Sequence, residues 1–325
     1  MIRYALNRLL MLIPVLLGVT LIIFTLLYFT PGNPAQILLP DDATQEQIAM
    51  KERELGLDDS FIVRYVGYLG GIVTRGDFGT SYTTGRPVSE EIFARFPRTV
   101  KLASASIAVA VIMGVLCGIV SATRQYSVFD KLAVAVSMAG ISMPNFWQGL
   151  LNILIFSVWL GILPASGFDS WEYWILPALT IGTSSAANIM RMTRSAMLEV
   201  VRQDYIRTAR AKGQTEAVIK FKHALRNAMI PIATVIGNSF GSMLCGAVVT
   251  ESIFAIAGLG KLLVDSINVR NFPMVQGCVL FLALIHAVVN LAVDLLYAFI
   301  DPRIKSQYSA KYKKTGRSKR AKEAS

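Results

Sequence analysis

Uncharged residues in this chain gather into long runs separated by charged segments, and the length of the runs predicts helices that cross a membrane. A crossing helix needs about 20 apolar residues. Six runs meet that need. Residues 9–29 form the first; a cleaved leader would carry an apolar region of only about 7–15 residues before a small-residue site, whereas this run is longer and ends in Thr30-Pro31-Gly32-Asn33-Pro34. Residues 102–123 form the second. The uncharged run 132–168 is too long for one simple helix and is interrupted by Gly140, Pro144 and Gly149. It predicts a span over 145–161, with a second helical piece over 132–143 entering at an angle and an exit loop over 163–167. The fourth run covers 173–190, with helix continuing over 194–201, the fifth 227–250, and the sixth 271–293 with an extension to Ile300. The predicted class is an all-α integral membrane protein with six transmembrane helices.

Two segments are too polar to cross. In 31–98, Thr44 with Gln47 suggests a capping box that starts a short helix ending near Gly56. Apolar positions over 61–73 suit either a helix lying on the membrane surface or a folded cap on the first spans. The segment 191–231 is basic and rich in helix formers: one helix is expected over 203–212 with Gly213 as its stop, and a second piece from Thr215 to about Asn227, ending at Pro231. On charge pattern alone that loop reads most simply as a solvated amphipathic connector.

Composition sharpens this picture. Of 325 residues, 54% are hydrophobic and only 16% charged, with a mean hydropathy of +0.51, which argues against a soluble globular protein. The net charge of +11 would suggest nucleic acid in a soluble chain. Here its distribution gives a different answer. With the N-terminus cytoplasmic, 22 Lys and Arg fall on the inner side and 10 on the outer, while the acidic residues lie mostly outside. This is the positive-inside asymmetry of a membrane protein, so both termini are expected in the cytoplasm and no nucleic acid is needed. The basic tail from Ser306 onward is expected to be disordered and held near anionic lipid. The domains read as 1–30, a cytoplasmic start with the first span; 31–98, an extracytoplasmic loop with short helices; 99–304, a five-helix core containing the loop 191–231; and 305–325, the tail.

Several motifs fail on inspection. Cys117, Cys245 and Cys278 lack metal-ligand spacing and sit in uncharged runs, where cysteine behaves as a small hydrophobe. Gly258-Leu259-Gly260-Lys261 resembles the end of a phosphate loop, but Ala255 replaces the first glycine and Leu262 the required Ser or Thr. Gly237-Asn238-Ser239-Phe240-Gly241 matches a nucleophile elbow, with His286 in the next span, which raises an intramembrane serine protease; glycine and serine at that spacing more often serve close helix packing. Glu251 and Asp294 are carboxylates near membrane depth, which raises a proton-coupled secondary transporter, although both fall near span ends, where water or Arg303 could satisfy Asp294.

Other stretches carry a positive resemblance. Glu54-Leu55-Gly56-Leu57-Asp58, Arg64-Tyr65, Gly76-Asp77-Phe78-Gly79-Thr80-Ser81 and Pro87-Val88 in the outer loop, Ser142-Met143-Pro144-Asn145-Phe146 and Leu163-Pro164-Ala165-Ser166-Gly167 in the membrane, and Asp294-Leu295-Leu296-Tyr297-Ala298 with Asp301-Pro302-Arg303-Ile304 near the end resemble the inner-membrane permeases of ATP-binding-cassette importers, in the dipeptide/oligopeptide/nickel branch. Tyr205-Ile206-Arg207-Thr208-Ala209-Arg210-Ala211-Lys212-Gly213 followed by His223-Ala224-Leu225-Arg226-Asn227 resembles the family's EAA loop. Two positions depart from the wider pattern: Arg207-Thr208-Ala209 stands for Glu-Ala-Ala, and Ala257 for a proline.

The resemblance implies a type I importer permease fold in a bacterial or archaeal plasma membrane and reverses the reading of 191–231 as a mere connector. It implies a non-catalytic transport subunit whose loop, through Tyr205, Arg207, Thr208, Ala209, Ala211, Lys212 and Gly213, docks on an ATPase. Its partners would be a second homologous permease, two cytoplasmic ATPases that bind the ATP and Mg²⁺, and an extracytoplasmic substrate-binding protein, in a lipid membrane. The chain itself would hold no cofactor or metal. Cargo would be di- or oligopeptides, with nickel or another metal chelate as the alternative. Met143, Pro144, Asn145, Asn238 and Ser239 are candidates for the pathway wall, because a broken helix and polar side chains at depth suit a cavity.

Overall fold

Helix is the dominant state because the uncharged runs offer backbone amides nothing but one another to bond to in an apolar medium. The computed structural model describes residues 2–40 and 42–300, where the only β pairing is an isolated bridge between Thr80 and Pro87. The first run is α1 (Ile2–Phe29). Three short helices follow, α2 (Pro34–Leu38), α3 (Gln45–Glu54) and α4 (Phe61–Arg75). The capping box forms: Thr44 Oγ1 accepts the Gln47 N–H, and the Gln47 side chain accepts the Thr44 N–H. On α4, Phe61, Tyr65 and Tyr68 make one stripe that surrounds the ring of Phe24 on α1, so this helix caps the first span while Ile62, Val63, Val66 and Val73 stay on its open face.

The second run is part of α5 (Val88–Thr123). This helix begins well before the expected domain boundary at residue 98, because Glu91 pairs with Arg95 one turn on and supports a charged extension too polar to read as a span. Helix α6 (Val128–Ser142) and α7 (Asn145–Asn152), the latter continued by a π-helical stretch Ile153–Trp159, meet at an angle of 105° about Met143 and Pro144, as the interrupted run predicted.

At the centre stands α8 (Ile175–Val201), followed by α9 (Asp204–Ala211), α10 (Glu216–Val218), a π-helical turn Ile219–Ala224 and α11 (Leu225–Gly246). Then come α12 (Val248–Ile253), α13 (Leu259–Asn268) and α14 (Phe272–Ile300). Helices α5 and α8 pack backbone to backbone: a Cβ on Gly118 would lie 2.6 Å from Thr193 Cβ, and one on Gly114 2.7 Å from the Ala186 carbonyl. Leu102, Leu176, Ile189, Met243 and Phe254 fill the space where α5, α8 and α11 meet. A separate cluster of Ile119, Met197, Ile206, Ile219 and Ile232 closes the end of the bundle that carries α9.

Among the described residues four helices are long and apolar enough to span a membrane, or five if the bent α6–α7 pair counts as one. The remaining predicted span lies in α8, which is long enough but carries Thr180, Thr183, Ser184, Ser185, Asn188 and Arg191. Its threonines are satisfied by neighbours: Thr180 bonds the Leu176 carbonyl (2.8 Å) and receives Asn152 Nδ2 (2.9 Å), and Thr183 receives Gln148, while Asn188 and Arg191 are exposed. The predicted tail, 305–325, lies outside the described residues.

Candidate functional site

Helix α9 forms because Gln203 is extended ahead of it, Asp204 sits favourably at its positive end, and an apolar stripe faces the bundle. Ile206 is fully buried among Ile119, Met197, Ile219, Ala228 and Ile232, and Ala209 packs at the edge of that cluster. The opposite face is open: Tyr205, Arg207, Thr208, Ala211, Lys212 and Gly213 are all exposed. The helix ends where expected. Gly213 adopts φ +77°, a left-handed conformation that glycine takes without penalty, and donates its N–H to the Arg210 carbonyl at 2.9 Å.

Two clamps then fold the returning chain against α9. Arg210 Nε lies 2.7 Å from Glu216 Oε1, and this bond makes the guanidinium hold its proton more tightly than a free arginine does. Asn227 Nδ2 donates to the Tyr205 hydroxyl at 3.1 Å. The segment 191–231 is thus a structured elbow seated on one end of the bundle, with its C-terminal arm leading straight into α11.

The helices on either side of the elbow, α8 and α11, also form the walls of an open cleft of about 550 Å³. Ser185, Asn188, Arg191, Met192 and Ser195 line it from α8, and Val235, Asn238, Ser239 and Ser242 from α11. Of the five proposed pathway residues, Asn238 and Ser239 lie in this cleft. Met143, Pro144 and Asn145 are at the α6–α7 bend and do not line it. The sequence reading named none of the α8 contributors, although Ser185, Asn188 and Ser195 share one helical face and mark a polar stripe broken only by Met192.

The rejected motifs have physical explanations. Gly237 and Gly241 face α14, where a Cβ on Gly237 would collide with Val293 and one on Gly241 would lie 3.4 Å from His286 Nδ1. Ser239, between the two glycines, faces the cleft, so the Gly-x-Ser-x-Gly pattern is close helix packing and no strand-to-helix elbow is formed. Glu251 was expected at an interface; it is fully buried instead. Its carboxylate accepts the Thr99 hydroxyl (2.6 Å) and the N–H groups of Gly260 (2.7 Å) and Lys261 (3.1 Å). The amide cradle of the apparent phosphate loop is therefore the start of α13, already capped by the chain's own carboxylate. Asp294 pairs with Arg8 at 2.9 Å, and Arg303 lies outside the described residues. Both carboxylates thus have partners among the described residues. The three cysteines are unpaired, and among the described residues no cluster of three or more His, Cys, Asp or Glu side chains is placed to hold a metal.

Comparison with known proteins finds family matches over most of the chain. Residues 114–306 match the family described as the binding-protein-dependent transport system inner membrane component, and residues 1–103 match its N-terminal family. The dipeptide transport system permease protein DppB of Alkalihalophilus pseudofirmus is 43% identical over 94% of this chain and 100% of its own length. The glutathione transport system permease protein GsiC of Salmonella typhimurium is 44% identical over 94% of this chain and 99% of its own. A solved amino acid ABC transporter with histidines is 20% identical, covering 66% of this chain and 94% of its own, with a TM-score of 0.49.

Proposed function

We propose that this chain, which belongs to the binding-protein-dependent transport system inner membrane component family, is the permease subunit of an ATP-driven importer of di- or oligopeptides. The observation that carries the reading is the connection between the elbow and the cleft: one structured segment with an open face joins the two helices that wall the cleft. The names of the relatives, dipeptide and glutathione permeases, support a peptide as cargo.

In this reading the basic loops lie in the cytoplasm and α9 docks into an ATPase, which binds ATP and Mg²⁺ and carries out the hydrolysis. A second permease completes the pathway, and a binding protein delivers cargo to the outer face. A push on α9 has two routes inward. One runs through Ile206 into the α5–α8–α11 end cluster. The other runs through Arg210 and Glu216 into α10 and α11, so that relative movement of α8 and α11 opens or narrows the cleft. Polar lining suits a wetted passage, because serine and asparagine side chains exposed to lipid tails would be unsatisfied.

The test is uptake by the purified complex in proteoliposomes, with di- and oligopeptides compared against nickel chelates. The expected result is ATP-dependent accumulation of peptide with two ATPase subunits co-purifying. Nickel-chelate uptake without peptide uptake would move the cargo to the alternative, and transport driven by a proton gradient without ATP would overturn the reading.

A further inference from the structure

Two arginines one turn apart on α8 have opposite surroundings. Arg194 is bound along one edge of its guanidinium, through Nε and Nη2, by both carboxylate oxygens of Asp130. Arg191 points into the cleft, where its one hydrogen bond is donated from Nη2 to Asn188 Oδ1 at 2.9 Å. No ion pair among the described residues includes Arg191, and of the nine residues that line the cleft it alone is charged. The remainder of the lining is Ser, Asn, Met and Val, groups that can orient a peptide but carry no counter-charge.

Arg191 is exposed to the open cleft, and a guanidinium with no carboxylate beside it can receive an anion there. It has five N–H donors in a planar fork that matches a carboxylate, and the bond to Asn188 uses one of them while fixing the plane of the group. The cleft volume of about 550 Å³ falls within the range of small-ligand pockets. We propose that Arg191, held in place by Asn188, is a transient binding point for the carboxylate of the transported substrate, so that the permease itself favours cargo with a free carboxyl terminus. Ser185, Asn238 and Ser239 then offer hydrogen bonds to the peptide backbone as it passes. The inference rests on the peptide-importer reading and narrows its substrate class to carboxylate-bearing peptides.

The experiment compares turnover of one peptide as its free acid and as its C-terminal amide, each at saturation of the binding protein, in proteoliposomes containing the whole complex. The variants are Arg191→Gln, which keeps polar contacts but no charge, and Asn188→Asp, which leaves the arginine in place and supplies it with a counter-charge; the second serves if the first does not assemble. The expected result is that the acid-to-amide turnover ratio falls at least fivefold in both variants and stays within about twofold of wild type in Arg191→Lys. A wild-type ratio in both Arg191→Gln and Asn188→Asp would overturn the site while leaving the importer intact. If the wild-type complex moves neither peptide, the peptide reading has failed and the Arg191 site falls with it.

Discussion

Arg194 grips both carboxylate oxygens of Asp130 with one edge of its guanidinium, Nε 2.7 Å from Oδ1 and Nη2 2.8 Å from Oδ2. Ser121 and the Tyr126 N–H also donate to that carboxylate, so one buried aspartate ties the end of α5, the start of α6 and the last third of α8 together at the start of the elbow. Removing the carboxylate strands a guanidinium in a mostly enclosed site, a loss of about 3–5 kcal/mol. Asp130→Ala is expected to lower the unfolding temperature of the purified complex sharply, and Asp130→Leu combined with Arg194→Met to recover much of it. Equal loss in the single and double variants would show that packing, not charge, holds this corner.

Ile206 is the anchor of α9, fully buried beneath a face that is otherwise solvent-exposed. Ile206→Ala removes packing worth about 2–4 kcal/mol from the end cluster. Amide hydrogen exchange over 204–218 is expected to speed up while α5 and α8 keep their protection, and ATPase activity is expected to persist with transport reduced. Unchanged exchange over 204–218 would mean that the clamps at Arg210 and Asn227 suffice to seat the helix.

At Gly213 the backbone needs φ +77° and donates its N–H to Arg210, so proline fails on both counts. Gly213→Pro is expected to abolish both transport and binding-protein-stimulated ATP hydrolysis. Gly213→Ala should cost only about 1–2 kcal/mol locally and leave measurable transport. Full activity in the proline variant would remove the elbow from the mechanism.

Glu251 and Thr99 cap α13 as a pair: Thr99 donates to Glu251 and accepts the Leu259 N–H at 2.8 Å. Glu251→Gln presents an amide N–H₂ to donors, and Thr99→Val breaks the relay, each leaving at least one buried donor unpaired at about 1–3 kcal/mol. Both variants are expected to lower the unfolding temperature of the complex, and the double variant to lose less than the sum of the two, because one network is broken twice. Additive losses would show that the two residues act independently.

The fold was legible where chemistry is local. Thr44 and Gln47 announce their own helix, Pro144 marks a bend that the structure draws at 105°, and Gly213 stops α9. The uncharged runs marked α8 with the other long helices, but hydropathy measures a residue's taste for oil and not its neighbours, so nothing in them placed α8 between α5, α6 and α11. The same limit hid Glu251, whose partners Thr99, Gly260 and Lys261 are brought to it by packing between α5 and α13. In the candidate site, six of the seven residues that the family resemblance named on α9 lie on its exposed face, while Ala209 packs at the edge of the Ile206 cluster. The cleft could not be read this way, because Asn238 and Ser239 gain meaning only when α8 supplies Asn188 and Arg191 opposite them. Met143, Pro144 and Asn145, chosen because a broken helix suits a cavity, make the bend but not that wall.

The central claim is that α9 is the point at which an ATPase drives this chain. It is tested most directly by placing a photo-reactive benzoylphenylalanine at Thr208, on the exposed face of α9, in the intact complex, with Val73 on the open face of α4 as the control. Irradiation is predicted to join position 208 to an ATPase subunit and position 73 to none. An ATPase adduct from position 73, or none from position 208 in a complex that still hydrolyses ATP and transports, would contradict it.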